Sequence, residues 1–177
     1  MKIFKSLALA TAALLLGASA ALSATITDVL DRKVEIASPP QRILLGFNFE
    51  DFMAAGGPGV MDRVAALSLP VWRDWRPSQS AAYLKAIPSL SDKVDAGDTG
   101  AGTFSIEKAI PARPDLAILA AWQVKALGET VKQFEAAGDP VGDVDYNAQT
   151  LEKHLRPTTV PGEVPGQPER AKKGRLA

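Results

Sequence analysis

Short runs of consecutive apolar residues recur along this chain. Runs of this kind, bounded by glycine, proline and charged residues, predict strands that are buried on both faces. The predicted strands lie at 42–46, 64–67, 116–119 and, with less apolar bulk, 141–146. Helical patterns separate them, so the order of elements predicts an α/β domain with a Rossmann-like parallel sheet and flanking helices.

The segments between these runs place apolar residues at the three- and four-residue spacing of a helix face. Three such faces are Phe49/Phe52/Met53, Tyr83/Leu84/Ile87 and Leu127/Val131/Phe134. We expect the first helix to end at Gly56-Gly57, and the second to be capped by Ser78 and to end before Pro88. The third should run without a break as far as Gly138.

The N-terminus has the composition of an export signal. Lys2 and Lys5 precede a mostly apolar run from Leu7 to Leu16, and small residues follow between Ala18 and Ser23. The run is much shorter than the roughly 20 residues that a membrane-spanning helix needs. We therefore expect residues 1–23 to be a cleaved signal peptide rather than a retained anchor, and the mature protein to reside in the periplasm.

The far end of the chain differs in character from the rest. Four prolines fall at positions 157, 161, 165 and 168, and an interior proline costs a helix about 3 kcal/mol. No stable helix is expected in residues 151–177. The chain also contains no cysteine, which excludes disulfides, thiolate metal ligands and a lipoprotein anchor.

Ahead of the first buried run, two short alternating segments flank a polar turn at Asp31-Arg32, and Ser38-Pro39-Pro40-Gln41-Arg42 follows. Further along, Phe104–Ile110 predicts a short helix capped by Ser105, and Ala112–Ile118 predicts a Pro-Asp turn that leads into a strand. In this order, these segments resemble the periplasmic solute-binding proteins of iron-chelate and cobalamin ABC importers.

The resemblance implies a receptor of two α/β lobes joined by a long backbone helix, with the ligand held between the lobes. Residues 24–150 would form the N-terminal lobe, and residues 151–177 a degraded, proline-rich start of the backbone helix. We expect a truncated product, or half of a split receptor, that is impaired in ligand capture. The implied partners are an iron-siderophore or related metal chelate and an inner-membrane ABC permease.

In open α/β sheets, ligands contact the loops that follow the carboxyl ends of the strands. The loop after the run at 64–67 carries Trp72, Arg73, Trp75 and Arg76. Guanidinium groups pair with carboxylates and indole rings stack on flat groups, so this loop suits an anionic, partly aromatic ligand such as an iron catecholate. The alternative is that both tryptophans pack over the following helix and the arginines are solvated.

Three further residues complete the predicted ligand-binding set. Trp122 and Gln123 follow the strand at 116–119, and they either contact the ligand or pack. Asn48 follows the first buried strand and either contacts the ligand or caps the next helix. No cofactor and no direct metal site are expected, since the chain has two tyrosines, one histidine and no cysteine.

Other classes of function remain open at this stage. A secreted α/β hydrolase would need a nucleophile elbow and an acid-histidine pair, yet no Gly-x-Ser-x-Gly occurs and His154 is the single histidine. A fragment that is nonfunctional, or that binds another subunit, also fits. Residues 25–155 contain 13 basic and 18 acidic residues, and this mildly acidic character argues against nucleic acid as a partner. We expect a solute-binding component rather than an enzyme.

Overall fold

The computed structural model describes residues 23–37, 39–46, 49–136, 138 and 140–144. The expected tail and all of the expected signal peptide except Ser23 lie outside this part of the chain. The strands are β1 (Ser23–Thr27), β2 (Lys33–Ala37), β3 (Ile43–Leu45), β4 (Val64–Leu67), β5 (Val94–Asp95), β6 (Leu116–Ala120) and β7 (Val141–Val144). The helices are α1 (Phe49–Gly56), α2 (Pro70–Arg73), α3 (Pro77–Ala86), α4 (Ile106–Ala109), α5 (Ala121–Leu127) and α6 (Glu129–Ala136).

Strands β3 to β7 form one parallel sheet in the order β5-β4-β3-β6-β7. At its centre, Ile43 of β3 pairs with Val64 of β4 on one side and with Leu116 of β6 on the other. After β5 the chain returns past β4 and β3 to add β6, so the strand order reverses between β3 and β6. The predicted α/β sheet is confirmed, and such a reversal opens a crevice at the carboxyl ends of the two strands.

The sheet is covered on both faces, and each face has its own apolar cluster. Ile43 and Leu45 of β3 pack in one cluster with Phe52 of α1. Leu44 belongs to the second cluster, together with Phe134 of α6, because successive residues of a strand point to opposite faces. Burial on both faces explains why the central strands appear in the sequence as continuous apolar runs.

Strands β1 and β2 form a separate antiparallel hairpin, as the alternation predicted. Its turn is built on Asp28, whose buried carboxylate accepts hydrogen bonds from the backbone N–H groups of Leu30 and Arg32, both at 2.9 Å. The Arg32 guanidinium contacts the same carboxylate at 2.8 Å and donates to the carbonyl of Val141 at 3.0 Å. Arg32 therefore attaches the hairpin to the start of β7.

The prediction of one unbroken helix through Leu127, Val131 and Phe134 is wrong. Helix α5 ends at Leu127 and α6 begins at Glu129. Gly128 between them has φ 52° and ψ −116°, a conformation that glycine adopts far more readily than other residues. No helix in the described residues combines the length and the apolar character needed to cross a membrane.

The region around α3 also differs from expectation. The segment 69–77, predicted as a loop, contains the helical turn α2. Helix α3 begins at Pro77 and has no side-chain cap, so Ser78 does not cap it; proline suits the first helical position because the N–H that it lacks has no partner within the helix. Leu84 was expected to face inward but is 42% exposed, whereas Tyr83 and Ile87 pack against the core.

Candidate functional site

The parallel strands bring the carboxyl ends of β3, β4, β5 and β6 to one edge of the sheet. A groove of about 310 Å³ opens at this edge, between the α2 segment that follows β4 and the loop that follows β5. We call it the rim groove. Its charged and aromatic lining residues are Arg73, Asp74, Trp75, Asp95, Asp98 and Lys108.

The loop after β5 forms one wall of the rim groove and is organised by Asp98. The Asp98 carbonyl accepts a hydrogen bond from the Thr103 N–H at 2.9 Å, and its carboxylate accepts one from the Ala101 N–H at 2.6 Å. Gly97 has φ 80°, and a Cβ at this position would lie 2.1 Å from the Thr103 carbonyl oxygen. The Ser68 hydroxyl donates to the Gly97 carbonyl at 2.5 Å, which fixes the loop to the end of β4.

Gln123 joins three of the loops at this edge. Its side-chain nitrogen donates to the Gly46 carbonyl at 2.8 Å and to the Thr99 hydroxyl at 3.1 Å, and its side-chain oxygen accepts from the Ala120 N–H at 2.9 Å. The residue is 1% exposed. Both amide hydrogens are therefore bonded within the protein. Gln123 is buried beneath the crevice between β3 and β6 and holds the surrounding loops in place.

The three tryptophans have different surroundings. Trp72 is 5% exposed, and its ring centroid lies 4.4 Å from that of Phe49. Trp75, by contrast, is 69% exposed and lines the rim groove. Trp122 is 41% exposed, and a Cβ added at Gly100 would lie 4.0 Å from the edge of its ring. Trp75 and Trp122 thus border the same loop after β5, while Trp72 belongs to the core.

Arg73 lies in the rim groove but already has acidic partners. Its guanidinium contacts the Asp74 carboxylate at 2.9 Å and the Asp95 carboxylate at 3.3 Å. The hydrogen bond and charge of Asp74, followed by the hydrogen bond to Asp95, raise the pKa of the Arg73 guanidinium. Its positive charge is shared between two carboxylates, which leaves less of it to attract an anionic ligand.

Arg76 contributes to a polar and aromatic cluster beside the groove. Its guanidinium lies 5.2 Å from the Trp72 ring centroid and 3.9 Å from the Glu50 carboxylate. Glu50 also accepts a hydrogen bond from the Tyr83 hydroxyl. That bond, with burial and the charge of Glu50, raises the pKa of Tyr83. The cluster fixes the start of α1 against α3.

Asn48 lies outside the described residues. The predicted ligand-binding set did not include Ser68 and Asp98, which build the wall of the groove. The available signals were that Ser68 directly follows the buried run at 64–67 and that Asp98 directly follows Gly97. Within the described ranges, no group of three or more histidine, aspartate or glutamate side chains is placed to hold a metal ion.

Solved structures share this arrangement of strands and helices. A TroA-like periplasmic binding protein of Veillonella parvula, FepB, matches with a TM-score of 0.78 and 24% identity. The fold is that of the TroA-like periplasmic binding proteins. The molybdate periplasmic binding protein MolA of Haemophilus influenzae matches with a TM-score of 0.65 at 17% identity, and the petrobactin-binding protein YclQ of Bacillus subtilis with 0.59 at 20%.

Each of these matches covers 86% of this chain, but only 45% of FepB, 49% of MolA and 48% of YclQ. The chain thus spans about half the length of the TroA-like proteins it matches. No protein-family profile matches the sequence, and no curated protein matches it. The TroA-like fold accounts for the sheet order and for the exposed edge at which the rim groove lies.

Proposed function

We propose that this chain is a solute-binding component of an ABC importer and that it binds an iron(III) chelate at the rim groove. The TroA-like fold supports the proposal, since the similar solved structures are binding proteins rather than enzymes. Their names refer to petrobactin, heme and molybdate. The proposal places the mature protein in the periplasm, without a lipid anchor, and gives it an inner-membrane ABC permease as partner.

The observation that carries the proposal is the pair of exposed indole rings beside the loop after β5. Trp75 and Trp122 are 69% and 41% exposed, although burying such rings is favourable. Both lie at the carboxyl edge, where open α/β sheets bind their ligands. In this proposal the two rings contact the chelate, whereas Trp72 and Gln123 hold the surrounding loops in place.

Reduced affinity is part of the proposal. The chain spans about half the length of the matched binding proteins, so we propose that it supplies one of two ligand-binding surfaces. Binding free energy grows with the number of well-made contacts, and each loss of about 1.4 kcal/mol weakens binding ten-fold. We therefore expect a dissociation constant well above that of a complete receptor.

Isothermal titration of the full chain with ferric chelates, with heme and cobalamin as alternatives, tests the proposal. Trp75→Ala and Trp122→Ala should each weaken binding by about ten-fold, the loss typical of a buried aromatic contact. Leu30→Ala is the matched control, because Leu30 is 48% exposed but lies in the β1–β2 turn. Failure of every chelate to bind at millimolar concentration would show that the proposal is wrong.

A further inference from the structure

The rim groove contains more carboxylates than available cations. Asp74, Asp95 and Asp98 contribute carboxylates to its lining, and Arg73 and Lys108 contribute cations. Arg73 is held by Asp74 and Asp95 at 2.9 and 3.3 Å. The guanidinium therefore neutralises groups of the protein itself, and a strongly anionic ligand would have to compete with them.

Asp98 is the buried charged side chain of the groove, since Arg73, Asp74 and Lys108 are exposed and Asp95 is half-buried. The residue is 5% exposed, and one carboxylate oxygen accepts the Ala101 N–H at 2.6 Å. The second oxygen has no hydrogen-bond or ionic partner among the residues that the structure describes. Buried carboxylates are normally paired or fully hydrogen-bonded, so an unused acceptor at the wall of a groove indicates a partner that comes from outside the chain.

We propose that the rim groove binds its ligand through a cationic, hydrogen-bond-donating group that donates to Asp98 and packs against Trp75. An ammonium or amidinium group satisfies both contacts, because it donates to a carboxylate and is attracted to the face of an indole ring. The inference rests on the function proposed above and narrows its ligand to chelates that carry a positively charged arm. An anionic tris-catecholate is disfavoured.

The test compares two ferric chelates that differ only in this arm. One is the iron(III) complex of desferrioxamine B, which carries a terminal ammonium; the other is its N-acetylated form, in which the ammonium is capped. Isothermal titration of the full chain should show the ammonium form binding about ten-fold more tightly. Asp98→Asn keeps an acceptor for the Ala101 N–H and removes the charge, so it should bring the ratio of the two affinities close to one.

Asp92→Asn is the matched control, because Asp92 is exposed in the turn after Pro88 and does not line the groove. It should leave the ratio unchanged. If Asp98→Asn does not fold, the affinities of the two chelates are measured for the unmodified chain and for Trp75→Ala instead. Trp75→Ala should reduce the preference for the ammonium form.

Equal binding of the two forms, or tighter binding of an iron(III) tris-catecholate than of either, would overturn this inference and leave the proposed function standing. If none of the three chelates binds at millimolar concentration, this inference fails, and the wider titration with other ferric chelates, heme and cobalamin decides the proposed function separately.

Discussion

Arg42 and Asp115, 73 positions apart in the sequence, join the amino ends of β3 and β6, because the side chain of each hydrogen-bonds to backbone groups beside the other. The Asp115 carboxylate accepts the backbone N–H groups of Gln41 at 2.7 Å and Arg42 at 2.9 Å. The Arg42 side-chain Nε donates to the carbonyl of Ala112 at 2.7 Å. The Pro-Pro-Gln-Arg and Pro-Asp motifs that carried the family resemblance are therefore in direct contact.

Replacing Asp115 should destabilise the fold. Asp115→Ala leaves two N–H groups without their carboxylate, and hydrogen bonds to a charged group contribute about 1.5–3 kcal/mol. We expect a loss of about 2 kcal/mol in the free energy of unfolding, measured by urea denaturation. Asp62→Ala is the matched control, because Asp62 is exposed, and it should change stability by less than about 0.5 kcal/mol. Equal effects of the two variants would contradict the role given to Asp115.

The two neighbouring tryptophans should separate stability from binding. Trp72→Ala empties a space in the core and is expected to cost about 3–5 kcal/mol of unfolding free energy. Trp75→Ala removes a ring that is 69% exposed and should cost less than about 0.5 kcal/mol. Thermal or urea unfolding of both variants measures this difference. A large stability loss for Trp75→Ala would show that its ring packs in solution.

The loop after β5 offers a test of steric fit. Gly97 and Gly102 have φ angles of 80° and 67°, but a Cβ at Gly97 would meet the Thr103 carbonyl oxygen at 2.1 Å, whereas one at Gly102 has nothing within 4 Å. Gly102→Ala should cost about 1–2 kcal/mol for the left-handed backbone alone. Gly97→Ala should cost clearly more, because the loop must also move. Urea unfolding of both variants checks the order, and the reverse order would refute the loop geometry.

Tyr83 should ionise at a higher pH than an ordinary tyrosine. Its hydrogen bond to Glu50 is the largest cause of the raised pKa, and burial adds to it. The sequence has two tyrosines, Tyr83 and Tyr146. In a chain that carries Tyr146→Phe, ultraviolet absorbance therefore follows the ionisation of Tyr83 alone. Glu50→Ala should lower the pKa of Tyr83 toward its ordinary value.

The raised pKa of Tyr83 also predicts how stability changes with pH. The folded state holds the phenol proton more tightly than the unfolded state does. The contribution to stability is therefore complete below the unfolded pKa of about 10 and is lost as the pH rises through the folded pKa. A Tyr83→Phe chain should lose less stability than the unmodified chain over this interval; equal slopes would contradict the assignment.

The central sheet could be predicted because burial on both faces makes β4 and β6 continuous apolar runs. β5 could not, since Val94–Asp95 has only two residues and no pattern distinguishes so short a strand from a loop. The break at Gly128 was hidden because Leu127, Val131 and Phe134 keep helical spacing across it. The cap of α4 by Ser105 was predictable from residue type, and its hydroxyl accepts the Lys108 N–H at 3.4 Å.

The site was harder to predict than the fold. Composition identified an aromatic and basic segment after β4, but not which ring is buried, because that depends on the helical turn α2. The partners of Arg73 were also hidden: Asp95 reaches it only because β5 pairs with β4. Asp98 was not among the predicted ligand-binding residues for the same reason, since its place in the groove depends on a strand that the sequence does not reveal.

The reversal of strand order has a kinetic consequence. β3, β4 and β5 follow one another along the chain, so their pairing closes shorter loops than the pairing of β3 with β6. Loop-closure entropy disfavours the longer connection early in folding. We expect the β3–β4–β5 half to assemble first and β6 to dock late, so that weakening the Arg42–Asp115 contact chiefly accelerates unfolding rather than slowing folding.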